Sequence, residues 1–129
     1  MISSMWKDKI EWHLKMASEA KTKRDKRDLA YRTSIVGENV INILRFSIDG
    51  KAESTFFMIV SSIKRYMALG ILSKDYMPIL SESYEYYKLD TYINTSSNSF
   101  SFHRMEILHC EICNLVKEVE SYLKKEGKM

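Results

Sequence analysis

Proline occurs once and glycine four times in this 129-residue chain. Such a shortage of breakers argues against a many-turned β sandwich and leaves long helices easy to form. Only two cysteines are present, Cys110 and Cys113. Two thiols three residues apart within one continuous helix are poorly placed for a local disulfide, so two free, buried thiols are expected. A single Cys-x2-Cys without a second pair is also a weak zinc signal, even with His103 and His109 nearby. Long hydrophobic runs are missing too. The most apolar stretch, Phe56 to Leu72, is interrupted by Lys64 and Arg65 and is too short to span a bilayer, so no membrane partner is expected. The first residues lack the basic-then-apolar pattern of a secretory signal, which sets the expected location as the cytoplasm. Internal repeats, low-complexity tracts, Gly-rich phosphate loops and paired-carboxylate motifs are not seen either.

What is present is helical periodicity. Hydrophobic residues make up 45% of the chain, enough for a core, and the length fits one domain over residues 1–129. The fold class read from this is all-α, an antiparallel bundle of about five helices. The first helix is expected from about Ser4 to about Arg24, with Ser3 or Ser4 as cap and Trp6, Ile10, His13 or Leu14, Ala17 and Ala20 on its buried stripe. His13 lies on that stripe and reads as a hydrogen-bonded structural residue. The second runs from about Asp28 to Ile48 and stops at Asp49-Gly50; Gly37 inside it suits a close helix approach. The third, from Ala52–Ser54 to Gly70, is the most apolar and is therefore expected at the centre. Pro78 falls in the first turn of the fourth, which ends near Thr91 and carries the stripe Tyr76, Leu80, Tyr84 and Tyr87. A polar loop over Tyr92–Asn98 leads to the last helix, capped by Ser99 or Ser101 and running to Lys125. Its stripe is Phe102, Met105, His109, Ile112, Val116, Val119 and Leu123.

Charge is unevenly distributed. Between Lys21 and Arg32, six basic residues (Lys21, Lys23, Arg24, Lys26, Arg27 and Arg32) stand against Asp25 and Asp28, a local net of +4 in a chain of net +3. The rest of the molecule is therefore near −1, and the positive charge is concentrated as phosphate binding requires, although a solvated turn has the same look. On the last helix Arg104 and His109 form Arg-x4-His. A guanidinium can fork onto phosphate oxygens and an imidazole can exchange a proton near neutral pH. Five helical steps nevertheless turn the two about 140° apart, so to share a site one of them has to lie at a frayed helix start.

Two long helices joined by a charged turn, a short apolar pair and a last helix with Arg-x4-His resemble the HEPN superfamily of helical-bundle proteins. Glu19-Ala20, the charged turn, Gly37-Glu38-Asn39 and Phe102-His103 resemble the archaeal PaREP1 branch in particular. The resemblance implies a homodimer in which Arg104 and His109, from the last helix of each subunit, cleave RNA without a metal or other cofactor, with a 2′-hydroxyl as nucleophile. Met105 stands where active members of the superfamily usually place a polar residue, which tips the expectation toward an inactive member. The alternative expectation is an interaction module that docks a protein partner, such as a nucleotidyltransferase-type protein, with Arg-x4-His vestigial.

Overall fold

The computed structural model describes residues 1–52, 55–88 and 100–129. Every regular element among the described residues is helical: α1 (Ile2–Trp6), a π-helical turn (Lys7–Glu11), α2 (Trp12–Thr22), α3 (Lys26–Asp49), α4 (Phe56–Ser61), α5 (Ile63–Ala68), α6 (Met77–Lys88) and α7 (Phe102–Lys125). The all-α bundle expected from the periodicity is the architecture found. α1, the π turn and α2 follow one another with helical dihedrals at each junction, forming one rod whose buried residues are Trp6, Ile10, Ala17 and Ala20. No serine side chain caps its start; the rod begins directly after Met1.

α3, not the apolar 56–68 segment, is the central helix. It buries two adjacent faces, including Leu29, Val36, Val40, Ile41 and Leu44, and packs against α2, α6 and α7. A stripe on one side is what a peripheral helix buries; a double-width band is what a surrounded one buries. Gly37 is where that crowding is tightest: a Cβ there would lie 2.2 Å from Leu80 Cδ2 and 3.3 Å from Ile112 Cδ1. The close approach read from the sequence is real, and α6 and α7 are the helices that make it. At the end of α3, Gly50 takes the left-handed conformation (φ 74°) that stops the helix.

The third helix of the sequence reading is two short ones lying to the side. Ser61 Oγ and Ser62 Oγ both donate to the Met58 carbonyl, at 2.9 and 3.2 Å, and Arg45 Nη1 donates to Ser62 Oγ at 2.8 Å. Such back-bonding competes with the backbone ladder and marks the break between α4 and α5. Thr55 caps α4, and Phe57 is 75% exposed, so hydrophobic content alone misplaced this segment. In α6 the tyrosine stripe packs as read: Tyr76 and Leu80 are buried, and Tyr84 stacks on Phe56. The Tyr76 hydroxyl donates to the Glu118 carboxylate of α7 instead of reaching water, and burial pushes that hydroxyl's pKa up. The expected end of the fourth helix near Thr91 and the loop over Tyr92–Asn98 lie outside the described residues.

Two apolar cores result. The larger joins α1, α3, α4, α5, α6 and α7; the smaller gathers Ala17, Ala20, Leu29, Ala30, Phe100, Met105 and Leu108 beneath the α2–α3 turn. The three alanines let α2 and α3 lie close together, and the smaller core thereby fixes the start of α7 against the basic turn.

Candidate functional site

The basic turn is built by a helix stop and a helix start that share one residue. Lys23 ends α2, Arg24 is left-handed (φ 55°), and Asp25 is extended. Arg24 N–H donates to the Lys21 carbonyl at 3.1 Å and Asp25 N–H to the Ala20 carbonyl at 2.8 Å, the bond pair of a Schellman stop. Asp25 Oδ1 then accepts from Asp28 N–H at 3.1 Å and caps α3. Arginine thus occupies a position that ordinarily favours glycine.

This turn sits on aromatic rings at the start of α7. The Arg24 guanidinium lies 4.4 Å from the Phe102 ring centroid and Lys26 Nζ lies 4.7 Å from that of Phe100. Lys26 Nζ also donates to the Phe100 carbonyl at 2.8 Å, and Phe100 stacks on Tyr86 with centroids 4.5 Å apart. Lys21, Lys23, Arg24 and Arg27 are exposed. Beside them an open depression of about 500 Å³ is lined by Asp25, Arg27, Asp28, Tyr31 and Tyr87, with the two tyrosine rings 5.3 Å apart. Arg32, the sixth cation of the sequence reading, is placed differently. It is half-buried between α2 and α3, where Nη1 donates to His13 Nδ1 at 2.9 Å and Nε lies 3.4 Å from Asp28 Oδ1. His13 is the hydrogen-bonded structural residue expected.

Arg104 and His109 are held on different sides of α7. Ser101 Oγ accepts from Arg104 N–H at 3.0 Å, so Arg104 belongs to a capped, regular helix and not to a frayed end. Its guanidinium forks onto Glu82 of α6, with Nε–Oε2 at 2.6 Å and Nη2–Oε1 at 2.7 Å. That fork holds the Glu82 carboxyl below the usual carboxylate range. His109 lies toward α2: it is half-buried, Lys21 acts on it electrostatically, and Cys113 Sγ is 3.7 Å from its Nε2. Within the chain the two residues do not converge. Met105 between them is fully buried, and the core stripe runs through Leu108 and Leu115 with His109 on its flank. The thiols also depart from expectation: both are free, but Cys110 is exposed and Cys113 half-buried, because residues 110 and 113 fall outside the stripe set by Ile112 and Val116. Among the described residues no group of three or more His, Cys, Asp or Glu is arranged to hold a metal, and no helix is long and apolar enough to cross a membrane.

Burial lowers the pKa of His109, with Lys21 adding to the effect, and burial, Arg32 and Lys9 lower that of His13. A histidine whose folded pKa is depressed binds its proton more readily in the unfolded chain. The contribution to stability is therefore complete above the ordinary value of 6.5 and is lost as pH falls through the folded value. Stability, and with it the melting temperature, is expected to fall as pH is lowered from about 6.5 to about 5, with a slope of no more than about 1.4 kcal/mol per histidine per pH unit. His13→Gln/His109→Gln is expected to flatten that slope; thermal melts across the range check it, and an unchanged slope in the double variant contradicts it.

Sequence reasoning found the cations, Arg104 and His109, but not Phe100, Tyr31 or Glu82. The Phe-x-Phe spacing just before α7 is the signal that could have identified the aromatic seat. No family model, curated protein or solved structure matches the chain.

Proposed function

We propose that this chain binds single-stranded RNA along the α2–α3 turn and the start of α7, as a binding module and not as a ribonuclease acting from one protomer. The observation that carries this reading is the seating of the turn's cations on Phe100 and Phe102, with Lys21, Lys23 and Arg27 beside them. Phosphate-facing charge interleaved with aromatic faces is the chemistry that holds single strands. The adjacent Tyr31/Tyr87 depression offers a place for a base to stack. Arg104 is already committed to a carboxylate and faces away from His109. Cleavage would require Arg104 to leave Glu82 and to meet the His109 of a second protomer.

The test is anisotropy with a labelled single-stranded RNA. Four to five phosphate contacts give a salt slope near −3, so affinity should weaken about sixtyfold between ~50 and ~200 mM salt. The same mixtures in EDTA should contain no 2′,3′-cyclic phosphate ends. Absence of binding at low salt ends the proposal. Cyclic ends that vanish in both Arg104→Ala and His109→Ala would instead establish cleavage through an assembled dimer.

A further inference from the structure

We infer that the recess between the start of the first rod and the second half of α3 binds a small apolar carboxylate, a short fatty acid or an aromatic acid of similar size. The recess holds about 150 Å³. Its walls are Met5, Ile43, Phe46 and Ala52, and its polar groups are the Lys9 ammonium and the carboxamides of Asn39 and Asn42. Apolar walls with a few convergent polar groups are the make-up of a small-molecule site. Two features of the chain shape it. Trp12 N–H donates to the Lys7 carbonyl, five residues back, so the rod is π-helical over Lys7–Glu11, the turn that carries Lys9. Such turns are rare and occur frequently at functional sites. At the other end Gly50 stops α3 in the left-handed conformation, and the chain leaving it brings Ala52 into the recess.

Charge and size set the ligand class. None of the residues lining the recess is acidic, so Lys9 is its only charge and a cationic ligand is disfavoured. Neither the Lys9 ammonium nor the Asn39 carboxamide is hydrogen-bonded to another described residue. Both can therefore donate to a carboxylate, the ammonium through a charge-assisted bond. One ammonium balances one carboxylate but leaves a phosphate dianion half-neutralised, and four apolar walls cost a strongly hydrated head group its water. A tail suits those walls. With a water taking about 30 Å³, the recess displaces about five waters, room for about six to eight non-hydrogen atoms. None of the lining residues belongs to the α2–α3 turn, so this site does not rest on RNA binding.

The test is an amide chemical-shift titration of the isotope-labelled full chain with sodium hexanoate near neutral pH. Saturable shifts confined to residues 5–9, 39–46 and 52 are expected, with a dissociation constant of roughly 0.1–1 mM for a ligand of this size. Affinity should rise about fourfold per methylene from butanoate to hexanoate and stop rising at octanoate, whose tail outgrows the recess. Hexan-1-ol should bind about tenfold more weakly than hexanoate, and Lys9→Met should weaken hexanoate by the same factor, the share of one charge-assisted bond. Lys7→Met, on the same turn but outside the recess, should leave binding unchanged. Ala52→Leu should fill the space and abolish the shifts while the melting temperature stays that of the wild type. Absence of saturable shifts with hexanoate and octanoate at about 10 mM, far above that dissociation constant, overturns the site. Hexan-1-ol binding as tightly as hexanoate overturns the carboxylate, and undiminished shifts in Ala52→Leu overturn the location.

Discussion

Reversing two charges on the α2–α3 turn, Lys23→Glu with Arg27→Glu, is expected to weaken single-stranded RNA binding about a hundredfold at low salt without unfolding the bundle. Both residues are exposed. At contact distance in water a cation and a phosphate attract by ~1 kcal/mol, so each reversal swings the interaction by about twice that, less screening. The salt slope should fall by about 1.4, the share of two lost contacts. Arg24→Gly provides the control that separates charge from fold. Arg24 holds φ at 55°, a conformation that costs a non-glycine residue ~1–2 kcal/mol and glycine little. Removing the side chain also forfeits its contact with Phe102, worth ~0.5–1 kcal/mol at an exposed site. The variant should therefore melt at the same or a slightly higher temperature, yet bind RNA more weakly and with a salt slope smaller by about 0.7. A strained backbone retained for its side chain has that signature. If Arg24→Gly gains stability and binds as wild type does, the turn is only a turn.

Periodicity carried most of the architecture because it reports burial on a single helix. Trp6, Ile10, Ala17 and Ala20 are the residues the first rod buries, and Ser101, Gly50 and Gly70 act at the helix ends where their chemistry places them. What one sequence could not convey was which helix surrounds which. Phe56 to Leu72 is the most apolar stretch, but paired serines at 61 and 62 break it, and α3 takes the centre. The candidate site divides in the same manner. Charge clustering is local in sequence and was legible at Lys21 to Arg27. The partners were not: Arg104 is occupied by Glu82, 22 residues away, and Lys26 by Phe100, 74 residues away. Met105, read from the sequence as a departure from a motif, is a core residue of the smaller apolar cluster. Its burial follows from being one step past Arg104 on a helix whose other side faces α6.

Gly37 and Leu80 should show the largest coupling in the fold. Leu80 is 1% exposed, and Leu80→Ala is expected to cost about 2–5 kcal/mol through lost burial and a residual cavity. Gly37→Ala adds a methyl 2.2 Å from Leu80 Cδ2. Overpacking costs ~1–3 kcal/mol, and the helix propensity gained offsets about 1 kcal/mol of it, so the single variant should lose about 1 kcal/mol. Gly37→Val brings two further carbons into the same gap and should lose about 3 kcal/mol. In Gly37→Ala/Leu80→Ala the new methyl enters space that the truncated leucine vacates, while Ile112 Cδ1, at 3.3 Å, has to yield only slightly. The double variant should therefore cost about 1–2 kcal/mol less than the sum of the singles. Urea unfolding midpoints with constant m-values compare the wild type with these four variants. Strict additivity would mean that α6 does not press on α3 at this glycine, and that the central position of α3 depends on other contacts.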